Sequence, residues 1–294
     1  MLILLAIVAG ILVGAVINVL ADDLPMRDNP RLPHYPDGTP RRPLAWLAVL
    51  AFLTGQREAS PDVPPPPRDE QETDTGDMLV MPNPDTYVPP RPTSRHLTWR
   101  HLVVELGTGL AFGALVAAFP HEKNLWAWLV YAAIMMLITV IDVEHRLILF
   151  AVIIPSCVFA LFVAAVSPEQ GKPFNEFLVG GVVGFLVFFS MFLGGVAFAV
   201  FSRHEGVAFG FGDVMLATLS GFMIGWRAFI FASLITVFVG AAGAVFYIVI
   251  RALLGRGHRW FTPLPYGPYI VIGTLLMLYL REEVQDFIIG GVYY

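Results

Sequence analysis

Cysteine is almost absent from this 294-residue chain: Cys157 stands alone, inside an apolar run. A single cysteine excludes an intrachain disulfide framework and any metal site built on cysteine pairs. It reads as a small buried apolar side chain. Charge is scarce as well. Asp, Glu, Lys and Arg make up 14% of the residues, against about 25% in soluble domains. The seven histidines show no His-x-x-x-His spacing or other metal-ligand cluster, and no Ser/His/Asp arrangement stands out. No metal site and no nucleic-acid partner are therefore expected.

Apolar sequence takes up the room: 56% of residues are hydrophobic and the mean hydropathy is +0.70. Runs long enough to cross a hydrocarbon core of about 30 Å as helix recur along the chain. The lipid bilayer is thus the expected solvent, and the fold class an all-α polytopic membrane protein with about eight transmembrane helices. The first span, residues 1–20, has no Lys or Arg ahead of it and no small-x-small cleavage site before Asp22, so it reads as a retained helix rather than a secretory signal. Seven more are expected at 102–119, 125–141, 147–166, 177–201, 214–225, 228–250 and about 265–280. The span at 214–225, only about 18 Å long, needs protein around its end.

Between the first two spans lies a polar insert, residues 21–100, which holds 16 of the 23 prolines. Proline fixes φ and removes a donor, so regular structure is not expected over most of it. Residues 60–92 read as disordered linker. The apolar piece at 44–53 is too short to span and reads as an interfacial helix or docking segment. The expected domains are the first helix (1–20), the insert (21–100, without a zinc site) and a seven-helix core (101–294).

The net charge of −5 says little about orientation, which depends on where Lys and Arg lie. With the N-terminus outside, fourteen of the 18 Lys and Arg fall on cytoplasmic segments. Nine of those lie in the long insert, where the rule is weaker; the short loops still favour the same side. In this topology Asp142 ends the third span and Asp213 begins the sixth, both at the cytoplasmic face.

Carboxylates beside hydrocarbon are expensive and usually have a task or a partner. Asp142 sits in Ile138-Thr-Val-Ile-Asp142-Val-Glu-His-Arg-Leu-Ile148, where it can also be read as a loop residue paired with Arg146 at i,i+4. Asp213 follows Gly210-Phe-Gly212. Two glycines there let the backbone approach another element closely, while Asp213 can equally serve as a helix cap. No strand precedes this Gly-x-Gly, so it is not a nucleotide fingerprint. As a pair, two carboxylates sharing a site hold one proton between them, and such a dyad can activate water for attack on an amide without metal or covalent intermediate. A proton-coupled transporter would place its carboxylates nearer mid-span. Asn18 reads as an interhelical hydrogen bond, and Glu105 as a structural residue bonding Arg100 or a neighbouring helix.

Gly210-Phe-Gly-Asp213 resembles the Gly-x-Gly-Asp motif of intramembrane aspartyl proteases, and its surroundings are similar to the type IV prepilin peptidases. The likeness extends over Gly14-Ala-Val-Ile-Asn18 with Leu24-Pro25, Trp99-Arg100 to Glu105, Asp142-Val-Glu-His-Arg-Leu-Ile148, Gly212-Asp213 to Gly221, and Pro265-Tyr-Gly267-Pro268, in the family's order. The resemblance implies an inner-membrane aspartic-type endopeptidase, with Asp142 and Asp213 as the catalytic dyad. It would cleave the leader of prepilin or pseudopilin substrates for type IV pili or protein secretion. Gly210 and Gly212 would support the motif; Asn18, Glu105, Pro265, Gly267 and Pro268 would serve substrate binding or structure. Many members of the family also methylate the new N-terminus with S-adenosylmethionine. Two departures stand out. The insert lacks the family's two Cys-x-x-Cys pairs, which bind zinc, so no cofactor is expected here. Leu149-Phe150 stands where the family commonly has Pro-Asp or Pro-Asn. A non-catalytic relative that binds pilin-like helices as an assembly factor is the alternative.

Overall fold

The computed structural model describes residues 1–26, 32–60, 94–167, 173–202, 210–253 and 265–280. Nine α-helices lie among them: α1 (Leu2–Asp23), α2 (Ala48–Thr54), α3 (Trp99–Ala118), α4 (Leu125–His145), α5 (Phe150–Val166), α6 (Phe174–Ser202), α7 (Phe211–Ile224), α8 (Trp226–Leu253) and α9 (Gly267–Tyr279). Five of these, α1, α3, α4, α6 and α8, are long and apolar enough to cross a membrane, while α5, α7 and α9 are shorter apolar helices. Helices occupy all the expected span positions, with shifted ends. α4 runs on to His145 and α7 starts at Phe211. Asp142 thus lies near the end of one helix and Asp213 near the start of another, as expected, each about one turn inside, because a polar residue there does not break the backbone ladder. α5 starts at Phe150, so residues 147–149 connect rather than span.

The chain divides into two compact units, Met1–Ile141 and Asp142–Tyr294. In the first, α1 packs along α3 through small residues. A Cβ added to Gly10 would lie 2.6 Å from the Thr108 carbonyl oxygen, and one on Gly14 2.6 Å from the Glu105 Cα. This small-xxx-small spacing lets backbones touch where lipid offers no hydrophobic drive for association. Away from α3, α1 leaves Leu5, Leu12 and Val16 exposed, as a lipid-facing helix does.

Charged groups gather where α1 and α3 end. Arg100 donates to Asp22, His101 Nε2 lies 3.3 Å from the same carboxylate, and Arg41 reaches it at 4.0 Å. His34 Nε2 sits 3.3 Å from Asp23. Burial lowers the pKa of the Arg41 guanidinium, and the charges of Asp22 and Glu105 oppose that shift.

Part of the insert is ordered. The 44–53 segment folds as a 3₁₀ turn, Pro43–Ala45, followed by α2, which ends on Gly55 in the left-handed region at φ 72°. That conformation suits glycine at a helix end. Tyr35, Ala45, Ala51 and Leu97 form a small core. The Ala59 N–H donates to Arg95 O, and the Leu97 N–H to Arg57 O, both at 2.8 Å. The expected linker, apart from Ser60, lies outside the described residues.

In the second unit α7 is central, packed by α5, α6, α8 and α9. Val214, Leu216, Ala217 and Leu219 are fully buried. At about 1.5 Å per residue its 14 residues extend about 21 Å, and its C-terminal end, Met223 to Gly225, is buried, as a short helix at membrane depth requires. Gly180 and Gly184 of α6 bring it against α7: a Cβ on Gly184 would lie 2.5 Å from the Ala217 carbonyl oxygen. The Thr274 hydroxyl donates to Ser220 Oγ at 2.8 Å, tying α9 to α7.

The α1–α3 contact gives a paired test. Gly14→Ala should lower stability by roughly 1–3 kcal/mol, because the methyl meets backbone that cannot turn aside. Gly107→Ala should be near neutral, since its Cβ would meet only the flexible Met136 Cε at 3.6 Å. Thermal melts of the two variants in detergent read the difference.

Candidate active site at two helix ends

Asp142 occupies the last turn of α4. The helix stops three residues later, and Arg146 takes φ 55°, the one non-glycine residue with positive φ among the described residues. Its N–H still donates to Asp142 O at 2.9 Å, so what joins these residues is a backbone hydrogen bond. The guanidinium charge also acts on the carboxylate. The left-handed residue reverses the chain, and residues 147–149 lead on toward α7. There the absence of a side chain on Gly212 matters: a Cβ would sit 2.7 Å from Ile148 Cβ. The Phe150 and Phe211 rings, 6.2 Å apart, close the same contact.

Asp213 lies in the first turn of α7 and reaches back to its start, accepting the Gly210 N–H on Oδ2 at 3.2 Å. This is the carboxylate half of a capping box, in which an acidic third residue satisfies the N-cap donor. Gly210 thus supplies a donor and Gly212 a close approach, so the two glycines of the motif have different physical tasks.

Asp142 is held from another helix. Its Oδ2 accepts the Gly267 N–H at 3.1 Å, one of the free donors at the start of α9. A Cβ on Gly267 would fall 2.5 Å from that oxygen, so glycine alone lets the amide approach. Pro268 follows in the first turn of α9, where a missing N–H costs nothing. Pro265 precedes the helix.

The two carboxylates are buried, at 5% and 9% exposure, and close enough for the charge of Asp142 to act on Asp213. Neither has a direct cationic partner among the described residues. Asp213 also acts on the Tyr266 phenol, whose ring lies 6.0 Å from that of Tyr269. Tyr266 is not among the residues expected to form the site; its only signal in the sequence is a hydroxyl within the Pro265–Pro268 segment.

Asn18 and Glu105 belong to the first unit and bond within it. Asn18 Nδ2 donates to His101 O at 2.9 Å, and its side chain also hydrogen-bonds Glu105. Glu105 accepts the Ala48 and Val49 N–H groups at 2.7 and 2.9 Å. Of the two partners expected for it, a neighbouring helix supplies both of these donors, while Arg100 pairs with Asp22.

The turn after Asp142 makes its own prediction. A left-handed non-glycine residue costs about 1 kcal/mol, and a β-branched one more. Arg146→Val should therefore destabilise by about 1–2 kcal/mol, whereas Arg146→Gly should leave the melting temperature near that of the parent.

Comparison with known proteins shows what this chain is similar to. Residues 129–245 match the type IV leader peptidase family. The prepilin leader peptidase/N-methyltransferase of Aeromonas hydrophila is 27% identical over 63% of this chain and 60% of its own length. The protein of that name from Myxococcus xanthus is 31% identical over 53% of this chain and 44% of its own. The Burkholderia pseudomallei protein is 27% identical over 97% of this chain and 87% of its own. No solved structure matches significantly. Asp142 and Asp213 both fall inside the stretch that matches the type IV leader peptidase family.

Proposed function

We propose that this chain is an intramembrane aspartyl endopeptidase that removes the leader peptide from type IV prepilin-like or pseudopilin substrates. The site would lie at the cytoplasmic face of the inner membrane, with the N-terminus outside. The observation that carries the reading is the approach of two buried carboxylates from the end of α4 and the start of α7, within the stretch that matches the type IV leader peptidase family.

Two carboxylates in mutual reach do not both ionise cheaply, so the pair shares a proton. Each has Oδ2 tied by one backbone N–H, from Gly267 or Gly210, which fixes its plane and leaves Oδ1 for the reaction. The ionised member takes a proton from water as the water oxygen attacks the scissile carbonyl carbon. Its protonated partner gives a proton to the carbonyl oxygen. The resulting gem-diol collapses: the ionised carboxylate takes a hydroxyl proton, the C–N bond breaks, and the amine leaves with a proton from the other carboxyl, which restores the singly protonated pair. Water and two carboxylates balance this sequence without a cofactor.

Membranes containing the chain and a prepilin substrate provide the test, read as leader loss on a gel. Asp142→Asn and Asp213→Asn should each lower processing by roughly 10²-fold or more. Processing that survives both changes sinks the aspartyl mechanism. A parent protein that binds the substrate helix without cutting it would instead be an assembly factor. Gly267→Ala should cut kcat by about 10- to 100-fold with little change in KM, because it costs a hydrogen bond to a charged group worth about 1.5–3 kcal/mol. Cleavage should fall at both low and high pH, the two limbs belonging to the pair rather than to either residue.

A further inference from the structure

Helix α2 is held in an unusual way. Its N-cap residue, Leu47, has no capping side chain. The Glu105 carboxylate on α3 takes the Ala48 and Val49 N–H groups instead. Glu105 is the seventh residue of α3, about 9 Å along the helix from Trp99 at 1.5 Å per residue. Because α3 is long and apolar enough to cross a membrane, this bond fixes α2 at the depth of a membrane boundary rather than out in water.

The faces of the segment agree with that depth. Ala48 and Ala51 are buried, and Phe52 packs onto the insert's core and against Trp99, ring centroids 5.0 Å apart. The opposite face presents Leu44, Trp46, Leu50 and Leu53, the last 78% exposed. No charged residue occurs from Pro43 to Gly55. Exposed Arg42 and Arg57 flank the stretch, with exposed Glu58 beside the latter; the Arg57 guanidinium lies over the Phe52 ring at 5.1 Å. The apolar face continues onto the exposed Trp99, Val103, Leu106 and Leu110 of α3, the surface that a spanning helix gives to lipid.

We infer that residues 43–54 form an in-plane membrane anchor, their Leu and Trp side chains sunk at the headgroup–acyl boundary and Arg42 and Arg57 on anionic headgroups. Interfacial helices take this form, with an apolar face at a depth of about 5–10 Å and basic residues toward the phosphates. Tryptophan favours the same level. Facing water instead, four large apolar side chains would make a contiguous patch of the kind that soluble surfaces avoid. Bound this way, the segment holds the root of the insert on the bilayer independently of any cleavage chemistry.

The single cysteine makes the test direct. In a Cys157→Ser background, Leu50→Cys, Leu53→Cys and Glu58→Cys carry nitroxide labels, and the full chain is reconstituted in bilayers of zwitterionic lipid with or without an anionic phosphatidylglycerol fraction. Collision with oxygen should exceed collision with a water-soluble nickel chelate several-fold at 50 and 53, and the order should reverse at 58. The anionic fraction should deepen the labels at 50 and 53. Nickel access at 53 equal to that at 58 would overturn the inference. So would protection from both reagents, which would mean that another part of the chain covers this face. An unlabelled check guards against perturbation by the cysteines: brominated lipid should quench a component of the parent's fluorescence that disappears in Trp46→Phe. Quenching identical in the two proteins would also refute it.

Discussion

An ionised carboxylate taken out of water loses hydration worth several kcal/mol even after relaxation, and in apolar surroundings it must find donors. Three acidic residues meet that constraint here in the same way, by accepting backbone N–H groups at helix starts. Glu105 takes two from α2, Asp142 one from α9, and Asp213 one from its own α7. Each bond also positions an element. α2 owes its place to Glu105, and α9 brings Gly267 to Asp142 because that carboxylate needs it. Glu105 and the two aspartates differ in what else surrounds them. Glu105 has two amides and Asn18. The aspartates have one amide each, from Gly267 and Gly210, and lie within reach of each other's charge.

Bringing those amides close requires helices that touch backbone to backbone, which large side chains would prevent. Gly10 and Gly14 allow it between α1 and α3, and Gly180 and Gly184 between α6 and α7. Lipid rewards this contact through packing and shape rather than through hydrophobic burial. The large apolar residues are free to face outward, as Leu186, Phe198, Leu234 and Phe238 do. Small residues thus make the closest helix contacts, beside cores that still bury Phe188, Met135, Leu216 and Leu219, while other bulky side chains face outward.

Much of this was legible in the sequence for a physical reason: apolar runs and lone carboxylates are local signals. The helix positions, the shortness of α7, and the singling-out of Asp142 and Asp213 followed from them. So did the need for Gly212 at a close approach. What escaped depends on partners far away in the chain. Nothing around Glu105 announces that its donors lie 57 and 56 residues earlier, nor around Asp142 that Gly267 is 125 residues later. The left-handed Arg146 was hidden for a different reason, since glycine or asparagine is the residue that normally marks that conformation. Helix ends were misjudged by a few residues because polarity, which ends a membrane span, does not end a helix.

The pairing of Arg57 with Leu97 and of Ala59 with Arg95 has a consequence for how such a chain can change. The two ends of the intervening 61–93 stretch leave and return at one place, already fixed by hydrogen bonds on the folded side. A flexible linker grafted between those two fixed ends would grow costlier only with the logarithm of its length, about 0.6 kcal/mol per doubling. The paired backbone at 57–59 and 95–97 would hold both ends of such a graft. Evolution, or an engineer seeking a place to graft a reporter or a tether, would find its freedom there.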